Sequence, residues 1–309
     1  MTRARETRRR CARRRRGGRL VAVALAAAWA ATLTGCGRPQ FDGERAFRFL
    51  ERQCAMGPRA PGSAGHAEAE RWLIETLEGL ADEVAVQRFT AVSRGREVGF
   101  ANVIASFRPA ARERVLFATH WDTRPVADLD PDPARRGTPI PGANDGASGT
   151  AVLLELATLM SERPPKVGVD LVFFDGEDGG GAGGLAGWCL GSTHYAARLG
   201  DYCPRLAVVV DMVGDADLSI PVEPNSLAGA PEAVATVWAA ARRAGSLAFE
   251  DRRGRAMFDD HIPLLRAGLP AVLVIDAEYE FWHTLADTPD KCSPRSLTEV
   301  GRVLVRLTH

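Results

Sequence analysis

Apolar runs that stop abruptly at polar residues are the main pattern along this chain. One run covers 167–174 and ends at Asp175-Gly176, directly before the adjacent acids Glu177 and Asp178. A largely apolar run ended by a turn signal is typical of a buried strand in a parallel or mixed sheet. Three further runs predict buried strands that end in the same way, at 115–119, 206–210 and 271–275.

Apolar residues at helical spacing predict helices between these strands. The predicted helices lie at 41–54, 66–80, 147–161, 231–244, after Ser192, around 259–263 and near the C-terminus. Two further segments, 84–92 and 98–107, flank the turn residues Ser93-Arg94-Gly95-Arg96 and predict a hairpin. Strands that alternate with helices indicate an α/β protein, here a three-layer α/β/α sandwich with a central mixed, mostly parallel sheet.

The first 35 residues have the pattern of a leader segment. Ten arginines lie between Arg3 and Arg19 with Glu6 as the only acid, and an apolar segment of 14 residues follows at 20–33. A helix needs roughly 20 residues to span a bilayer, so this segment suits a secretory signal peptide better than a membrane span. It ends in Leu-Thr-Gly-Cys36, which resembles the lipobox of bacterial lipoproteins.

That resemblance implies a lipoprotein-type signal peptide at 1–35 and lipidation of Cys36. We therefore expect an exported lipoprotein of the bacterial cell envelope, facing the periplasm or the cell surface. An ordinary signal peptide or a loose membrane anchor is the alternative. After the leader, we expect an N-terminal segment with the first helix at 36–56 and a catalytic domain at 57–309.

Removing the leader changes the charge balance. The whole chain has 39 basic and 39 acidic residues, and the leader takes 10 and 1 of them, which leaves 29 against 38, a net charge of −9. An acidic exported domain of 274 residues (309 minus 35) is not a nucleic-acid binder by charge, and it is large enough for one α/β domain. We expect a monomer that meets the membrane only through its lipid anchor.

Four cysteines follow Cys36, at Cys54, Cys189, Cys203 and Cys292. In an oxidising compartment they could form up to two disulfides, in any of three pairings that the sequence leaves open. Because none of them shows the paired C-x-x-C spacing of a structural zinc site, we do not interpret them as metal ligands.

Polar residues with metal-binding or acid–base chemistry follow the predicted strands: His120, Asp122, Asp145, Glu177, Asp178, Asp211 and His283. Each has a structural alternative, such as a core histidine for His120, a helix N-cap for Asp145 or a turn residue for Asp211. In open α/β sheets, ligands bind beyond the carboxyl ends of the strands. Charged side chains buried there are costly unless they are paired or bind a metal. Carboxylates and imidazoles without thiolates are ligands that catalytic zinc accepts.

Six motifs, in this order, resemble the zinc aminopeptidase and glutaminyl cyclase superfamily from about Gly57 to the C-terminal region. They are His120-Trp121-Asp122, GANDGASG at 142–149, DGED at 175–178, DMVGD at 211–215, Asp259-Asp260-His261 and Trp282-His283-Thr284. For the two-zinc aminopeptidases, the resemblance implies that Asp145 bridges two ions. His120 and Asp211 would hold one ion, Asp178 and His283 would hold the other, and Glu177 would be the general base.

Three local features resemble the glutaminyl cyclase branch. In that branch one zinc is held by the positions of Asp145, Asp178 and His283. Trp282 directly precedes His283, and Trp188 follows a glycine-rich loop, so both are expected to line the substrate pocket; aromatic packing is the alternative. The segment 258–265 resembles the cyclase segment in which the position of Asp260 binds the reacting amide.

One departure concerns the metal. Animal cyclases carry a glutamate at the position of Asp178, and the shorter side chain could shift the zinc or change which site fills. His120 and Asp211 do not discriminate between the branches, because cyclases keep both without binding a second zinc there. If the protein is a cyclase, Asp211 is expected to lie behind Asp260 and to support it.

The resemblance implies a glutaminyl-peptide cyclotransferase that converts the N-terminal glutamine of peptides or proteins to pyroglutamate with release of ammonia. One zinc is expected, with Glu177, Asp260 and Asp211 as the catalytic groups. The alternative is an aminopeptidase with two zinc ions, in which Glu177 activates a water. A third interpretation, a non-catalytic lipoprotein that uses the fold for binding, would require loss of the base or of a ligand, and neither is missing.

Overall fold

The computed structural model describes residues 40–181 and 184–309. Its strands are β1 (Glu83–Ser93), β2 (Arg96–Phe107), β3 (Arg114–His120), β4 (Gly168–Phe174), β5 (Leu206–Asp211), β6 (Ile220–Val222), β7 (Phe249–Arg253) and β8 (Ala271–Ile275). Its helices are α1 (Gly43–Ala55), α2 (Ala64–Glu78), α3 (Ala147–Glu162), α4 (Leu190–Ala196), α5 (Pro224–Gly229), α6 (Pro231–Ala244), α7 (His261–Arg266) and α8 (Pro294–Thr308). Short 3₁₀ turns lie at Pro133–Arg135 and Pro289–Lys291.

The main sheet has six strands in the order β1-β2-β4-β3-β5-β8. Strands β4, β3, β5 and β8 run parallel, whereas β2 is antiparallel to both β1 and β4. Helices α1, α3, α6 and α8 pack on one another, while α2 and α4 pack on β1 and β2. The predicted α/β fold with a mixed, mostly parallel sheet flanked by helices is confirmed.

The ends of the central strands bring polar residues to one edge of the sheet. Every residue of β4 and β5 is buried, because helices cover them. In the register of the sheet His120 pairs with Phe174, and Asp211 pairs with Ile275. Parallel strands therefore deliver His120, the turn after Phe174, and Asp211 to the same carboxyl-end crevice.

The hairpin and most helices begin and end close to the expected residues. Strands β1 and β2 pair antiparallel, and their turn residues Arg94 and Gly95 have φ of 48° and 78°, the left-handed values that a tight two-residue hairpin turn requires. Helix α2 begins at Ala64, before the expected His66, because the Ser63 hydroxyl accepts a hydrogen bond from His66 N and caps the helix.

A second, two-stranded sheet was not expected. Strand β6 has only three residues, and β7 reads Phe-Glu-Asp-Arg-Arg, mostly exposed, so neither shows an apolar run or a regular alternation. The adjoining α5 is a six-residue helix after the cap residue Glu223. Such short segments form through contacts with the rest of the domain, which hydrophobic patterning does not report.

Three of the four cysteines that follow Cys36 are unpaired. Cys54, Cys189 and Cys292 carry free thiols, so none of the three pairings that would place all four cysteines in disulfides is present. Among the described residues, no helix is long and apolar enough to cross a membrane. The predicted signal peptide and Cys36 lie outside the described residues.

Candidate active site

Two triads of buried side chains meet at the carboxyl-end edge of the sheet. One consists of His120, Asp145 and Asp211, and the other of Asp145, Asp178 and His283. Within each triad the potential ligand atoms all lie within 4.8 Å of one another. The structure thus brings together all five residues for which a metal-binding role was predicted.

Asp145 lies between the two imidazoles. Its Oδ1 is 3.2 Å from His120 Nε2, and its Oδ2 is 3.6 Å from His283 Nε2. The first imidazole also lies 3.1 Å from Asp211 Oδ1, and the second lies 3.3 Å from Asp178 Oδ1. One carboxylate therefore presents an oxygen to each triad, the arrangement that a bridging ligand needs.

The donor set fits zinc. Asp145 Oδ2 and Asp178 Oδ2 are buried and have no hydrogen-bond partner in the described part of the chain. A buried carboxylate oxygen without a partner is costly, and a cation removes that cost. Each triad supplies imidazole nitrogen and carboxylate oxygen, which are zinc ligands. The residues present are therefore suited to hold zinc.

The electrostatics of the triads also favour a cation. Although burial lowers the pKa of His283, the charge of Asp178 and the contact with Asp128 raise it to about 10. Burial opposes protonation of His120 as well, but the charge of Asp211 and the nearby carboxylates of Asp122 and Asp145 raise its pKa well above the usual value. Acids outnumber the imidazoles here, so a dication would replace protons in balancing them.

Asp287 holds the loop that carries Asp145. Its Oδ1 accepts a hydrogen bond from Asn144 N at 2.8 Å, and its Oδ2 accepts one from Asp145 N at 3.2 Å. Tyr279 also donates to Asp287 Oδ1, at 2.9 Å. Gly146 follows with φ of 90°, and a Cβ there would come within 2.5 Å of a carbonyl oxygen. The sequence reading missed Asp287, whose role depends on contacts more than 140 residues apart.

Asp122 organises the turn after β4. Its carboxylate accepts hydrogen bonds from Glu177 N at 3.1 Å and Asp178 N at 3.4 Å. The same carboxylate lies 3.5 Å from His120 Nδ1, the ring nitrogen that faces away from the triad. A carboxylate behind an imidazole ligand fixes the orientation of the ring. Asp122 therefore connects the position of His120 with that of Glu177.

Glu177 is buried beside the triads without belonging to either. Its Oε1 accepts a hydrogen bond from the Cys189 thiol at 3.2 Å. Burial raises the pKa of Glu177 well above the usual value, and the charges of Asp178 and Asp259 raise it further, against the opposing charge of His120. A carboxyl group with a raised pKa can both accept and return a proton near neutral pH.

Two more acids line the same site. Ser192 donates a 2.5 Å hydrogen bond to Asp260 Oδ1, and burial raises the pKa of Asp260 to about 7. In the sequence, Asp259 belongs to a motif but has no predicted role. Burial and the charge of Asp211 raise the pKa of Asp259 well above the usual value. Asp259 therefore lies close enough to Asp211 for their charges to interact.

Both predicted pocket tryptophans lie against His283. The Trp188 ring is nearly parallel to the imidazole, at an angle of 13° and a centroid distance of 6.1 Å. The Trp282 ring is tilted by 44° at 4.4 Å. His283 itself has a left-handed φ of 56°. The imidazole of one triad is therefore flanked by two indoles.

The sandwich fold and its paired carboxylate–imidazole triads define a protein of the zinc aminopeptidase and glutaminyl cyclase superfamily. The model of peptidase family M28 matches residues 102–308, about two thirds of the chain, and the chain belongs to that family. This family is zinc-dependent, in agreement with the triads. Within the superfamily, the chain is a glutaminyl-cyclase-like member.

Individual relatives support this assignment. A glutaminyl cyclase from Bacteroides thetaiotaomicron, solved with N-acetylhistamine bound, is 34% identical with a TM-score of 0.85, and the match covers 88% of this chain and 99% of the other. A protein from the same organism described as a leucine aminopeptidase precursor is 33% identical, with a TM-score of 0.85 and coverage of 88% and 98%. Bovine glutaminyl-peptide cyclotransferase is 25% identical over 80% of this chain and 76% of its own length.

Proposed function

We propose that this protein is a glutaminyl-peptide cyclotransferase. It would convert the N-terminal glutamine of a peptide or protein to pyroglutamate and release ammonia. The observation that carries this proposal is the pair of indoles, Trp188 and Trp282, around the His283 imidazole, with Glu177 and Asp260 buried nearby. The two indoles would wall a pocket for the substrate side chain next to the metal-binding triad. The similarity to glutaminyl cyclases from animals and bacteria supports it.

The pocket would bind the glutamine side chain and align it with its own amine. The indoles would pack on the side chain, and Asp260, with Asp211 behind it, would accept hydrogen bonds from the amide nitrogen. The charge of Asp211 raises the pKa of Asp259, so the two carboxylates belong to the same acidic group. Because the amine and the amide belong to one residue, correct orientation removes much of the barrier.

Glu177 would move the proton. As the α-amine nitrogen bonds to Cδ, the carbonyl carbon of the side-chain amide, Glu177 would take a proton from the nitrogen. It would then transfer this proton to the amide nitrogen as the carbon–nitrogen bond breaks, so that ammonia leaves and the carboxylate is restored. A bound zinc would polarise the γ-carbonyl and stabilise the charge that develops on its oxygen. Burial raises the pKa of Glu177, which makes it a stronger base than an exposed carboxylate.

We propose that one zinc serves this reaction, held by Asp145, Asp178 and His283. The support is the position of both tryptophans beside His283 rather than beside His120. Animal cyclases carry a glutamate at the position of Asp178. The number of zinc ions bound per chain must therefore be measured. One zinc per chain by elemental analysis is the expected value.

The test compares two substrates on the same preparation of full-length protein. A glutaminyl peptide is followed for ammonia release, a leucyl chromogenic amide is followed for cleavage, and zinc per chain is measured in parallel. Ammonia release with about one zinc and no leucyl cleavage is expected. Leucyl cleavage without ammonia release would contradict the proposal.

The second candidate is an aminopeptidase with two zinc ions. The observation that favours it is that both triads are assembled around Asp145. The similar protein described as a leucine aminopeptidase precursor points the same way. In that case Glu177 would activate a water molecule, and His120 and Asp211 would be ligands. About two zinc ions per chain together with leucyl cleavage would establish it.

We also propose that the protein is exported and anchored in the bacterial cell envelope through a lipid on Cys36. The arginine-rich start, the apolar segment and the Leu-Thr-Gly-Cys sequence support this proposal. Metabolic labelling with a palmitate analogue should mark the expressed protein, whereas a Cys36→Ser variant should remain unlabelled. Equal labelling of both proteins would contradict the assignment.

The expected substrates are peptide and protein N-termini, and the enzyme is proposed to act as a monomer. An acidic net charge after the leader gives no support for nucleic acid as a partner. Light scattering of the purified protein at working concentration should give the mass of one chain. A stable dimer would contradict the monomer proposal without affecting the proposed reaction.

A further inference from the structure

Arg124 is a buried cation that the proposed reaction does not use. It follows β3 by four residues, in the long segment between Asp122 and the loop of Asp145. Its side chain is only 2% exposed. A fully buried arginine is costly unless its donors are satisfied, so its partners indicate what it does.

The first group of partners belongs to the segment of Asp178. Arg124 Nη1 lies 3.2 Å from Asp178 Oδ1 and 3.1 Å from Asp178 O. The same nitrogen also lies 3.2 Å from Gly180 O. The guanidinium therefore holds both the carboxylate of a proposed zinc ligand and the backbone that carries it. The other oxygen, Asp178 Oδ2, is left without a hydrogen-bond partner.

The second partner is Asp128. Arg124 Nε and Nη2 donate to the two carboxylate oxygens at 2.7 and 2.6 Å, a bidentate pair. Asp128 Oδ1 also lies 3.5 Å from His283 Nδ1, the ring nitrogen that faces away from the triad. A carboxylate at that position orients an imidazole ligand. Arg124 therefore reaches a second proposed ligand through Asp128.

The third contact is with the pocket wall. The Arg124 guanidinium carbon lies 4.5 Å from the Trp188 ring centroid. The same indole is nearly parallel to the His283 imidazole. Arg124 thus touches Asp178 directly, His283 through Asp128, and the indole that packs on His283.

We propose that Arg124 is a positioning residue that sets the geometry of the zinc triad and of the indole wall together. This inference rests on the proposed ligand set and pocket. The planar guanidinium is required because its donors point along fixed directions to Asp178 and Asp128 at once. A lysine would keep the positive charge but could not hold both carboxylates in this geometry.

The test therefore uses a substitution that keeps the positive charge but lacks the planar guanidinium. Full-length Arg124→Lys is stripped of metal, and its zinc affinity is measured by competition with a chromophoric chelator. The expected result is a zinc Kd at least about tenfold higher than in the parent protein, the scale of lost support behind a metal ligand. The KM for a glutaminyl peptide should rise as well, because Trp188 loses the guanidinium on which it packs.

Arg114→Lys is the matched control. Arg114 lies at the opposite end of β3 and holds Asp170 in the same bidentate way, through Nε at 2.7 Å and Nη2 at 2.5 Å. Its substitution should lower the melting temperature and leave the zinc Kd within about twofold of the parent value. An equal loss of zinc affinity in both variants would show a general loss of stability and overturn the proposal.

Unchanged zinc affinity in Arg124→Lys would also overturn it. If this variant does not fold, Asp128→Asn removes the charged bidentate pair through which Arg124 reaches His283, from a side chain that is 43% exposed. An unchanged zinc Kd in Asp128→Asn would overturn the proposed link to His283. The affinity measurement needs no substrate. If Arg124→Lys binds zinc more weakly but the parent protein releases no ammonia, the proposed role of Arg124 stands and the proposed cyclase activity does not.

Discussion

The thiol of Cys189 donates a hydrogen bond to the carboxylate of Glu177 at 3.2 Å. The backbone joins the two residues as well, because Cys189 N donates to Glu177 O at 2.9 Å. Cys189 has a left-handed φ of 52°, is fully buried and directly precedes α4. The proposed base therefore has a neutral donor that limits how its carboxylate can rotate.

Cys189→Ala should lower kcat by roughly five- to tenfold, the effect of about 1 to 1.4 kcal/mol from one hydrogen bond. Zinc content should stay unchanged, because the thiol belongs to neither triad. Cys189→Ser keeps a donor and should recover most of the turnover. Cys292→Ala is the control, since this second buried thiol lies on a segment that pairs with Asp215 instead. Equal activity in the parent protein and Cys189→Ala would show that the contact is dispensable.

Glu177→Gln should retain zinc and lose turnover by roughly 10²- to 10⁴-fold, the usual range for a general base. The amide is similar in size to the carboxyl group but cannot accept the proton from the substrate amine. Glu155→Gln is a suitable control, since Glu155 is also fully buried but pairs with Arg45, at 2.5 and 2.9 Å. That control should lose stability and keep its turnover. Retained activity in Glu177→Gln would remove Glu177 from the role of base.

Glu223 should control part of the acid sensitivity of the fold. Its carboxylate accepts hydrogen bonds from Asn225 N and Ser226 N and lies 3.2 Å from His261 Nε2. Although burial raises the pKa of Glu223, these contacts lower it to about 2. A lowered pKa in the folded state means that the stabilisation is fully present above the unfolded value of about 4.5 and is lost as the pH falls towards 2.

Glu223→Gln should therefore remove part of this acid dependence. Between pH 4.5 and 2, the free energy of unfolding should fall by about 3 kcal/mol less in the variant than in the parent. The reason is that folding lowers the pKa from about 4.5 to about 2, and each tenfold change in a protonation equilibrium is worth about 1.36 kcal/mol. Urea unfolding of the metal-free proteins at a series of pH values measures the difference. Parallel curves for the two proteins would refute the assignment.

Chelation of the metal should lower the melting temperature, and added zinc should restore it. Because the triads form only in the folded chain, each tenfold increase of free zinc above its Kd should add about 1.4 kcal/mol of stability. Magnesium should restore little, since it prefers a complete set of oxygen ligands in octahedral geometry. Identical melting curves with and without zinc would argue against metal binding at the triads.

Sequence patterning predicted the strands well, because the information is local. The buried runs that became β4, β5 and β8 each end within one residue of the expected position. An uninterrupted apolar run is stable in a strand only where both faces of the sheet are covered. The sequence pattern therefore predicts the buried position of these strands. The strands β6 and β7 were not predicted because neither carries such a pattern. Strand β6 has only three residues, and β7 consists mostly of charged, exposed residues.

The sequence by itself determined that polar residues follow buried parallel strands, and therefore that they meet at one edge of a sheet. Only the tertiary structure decided their mutual geometry, such as the two oxygens of Asp145 facing different imidazoles. The supporting residues Asp287, Asp128 and Arg124 were also found only in the fold. Their contacts join loops that are distant in the chain, and no local periodicity records which buried charge will face which partner.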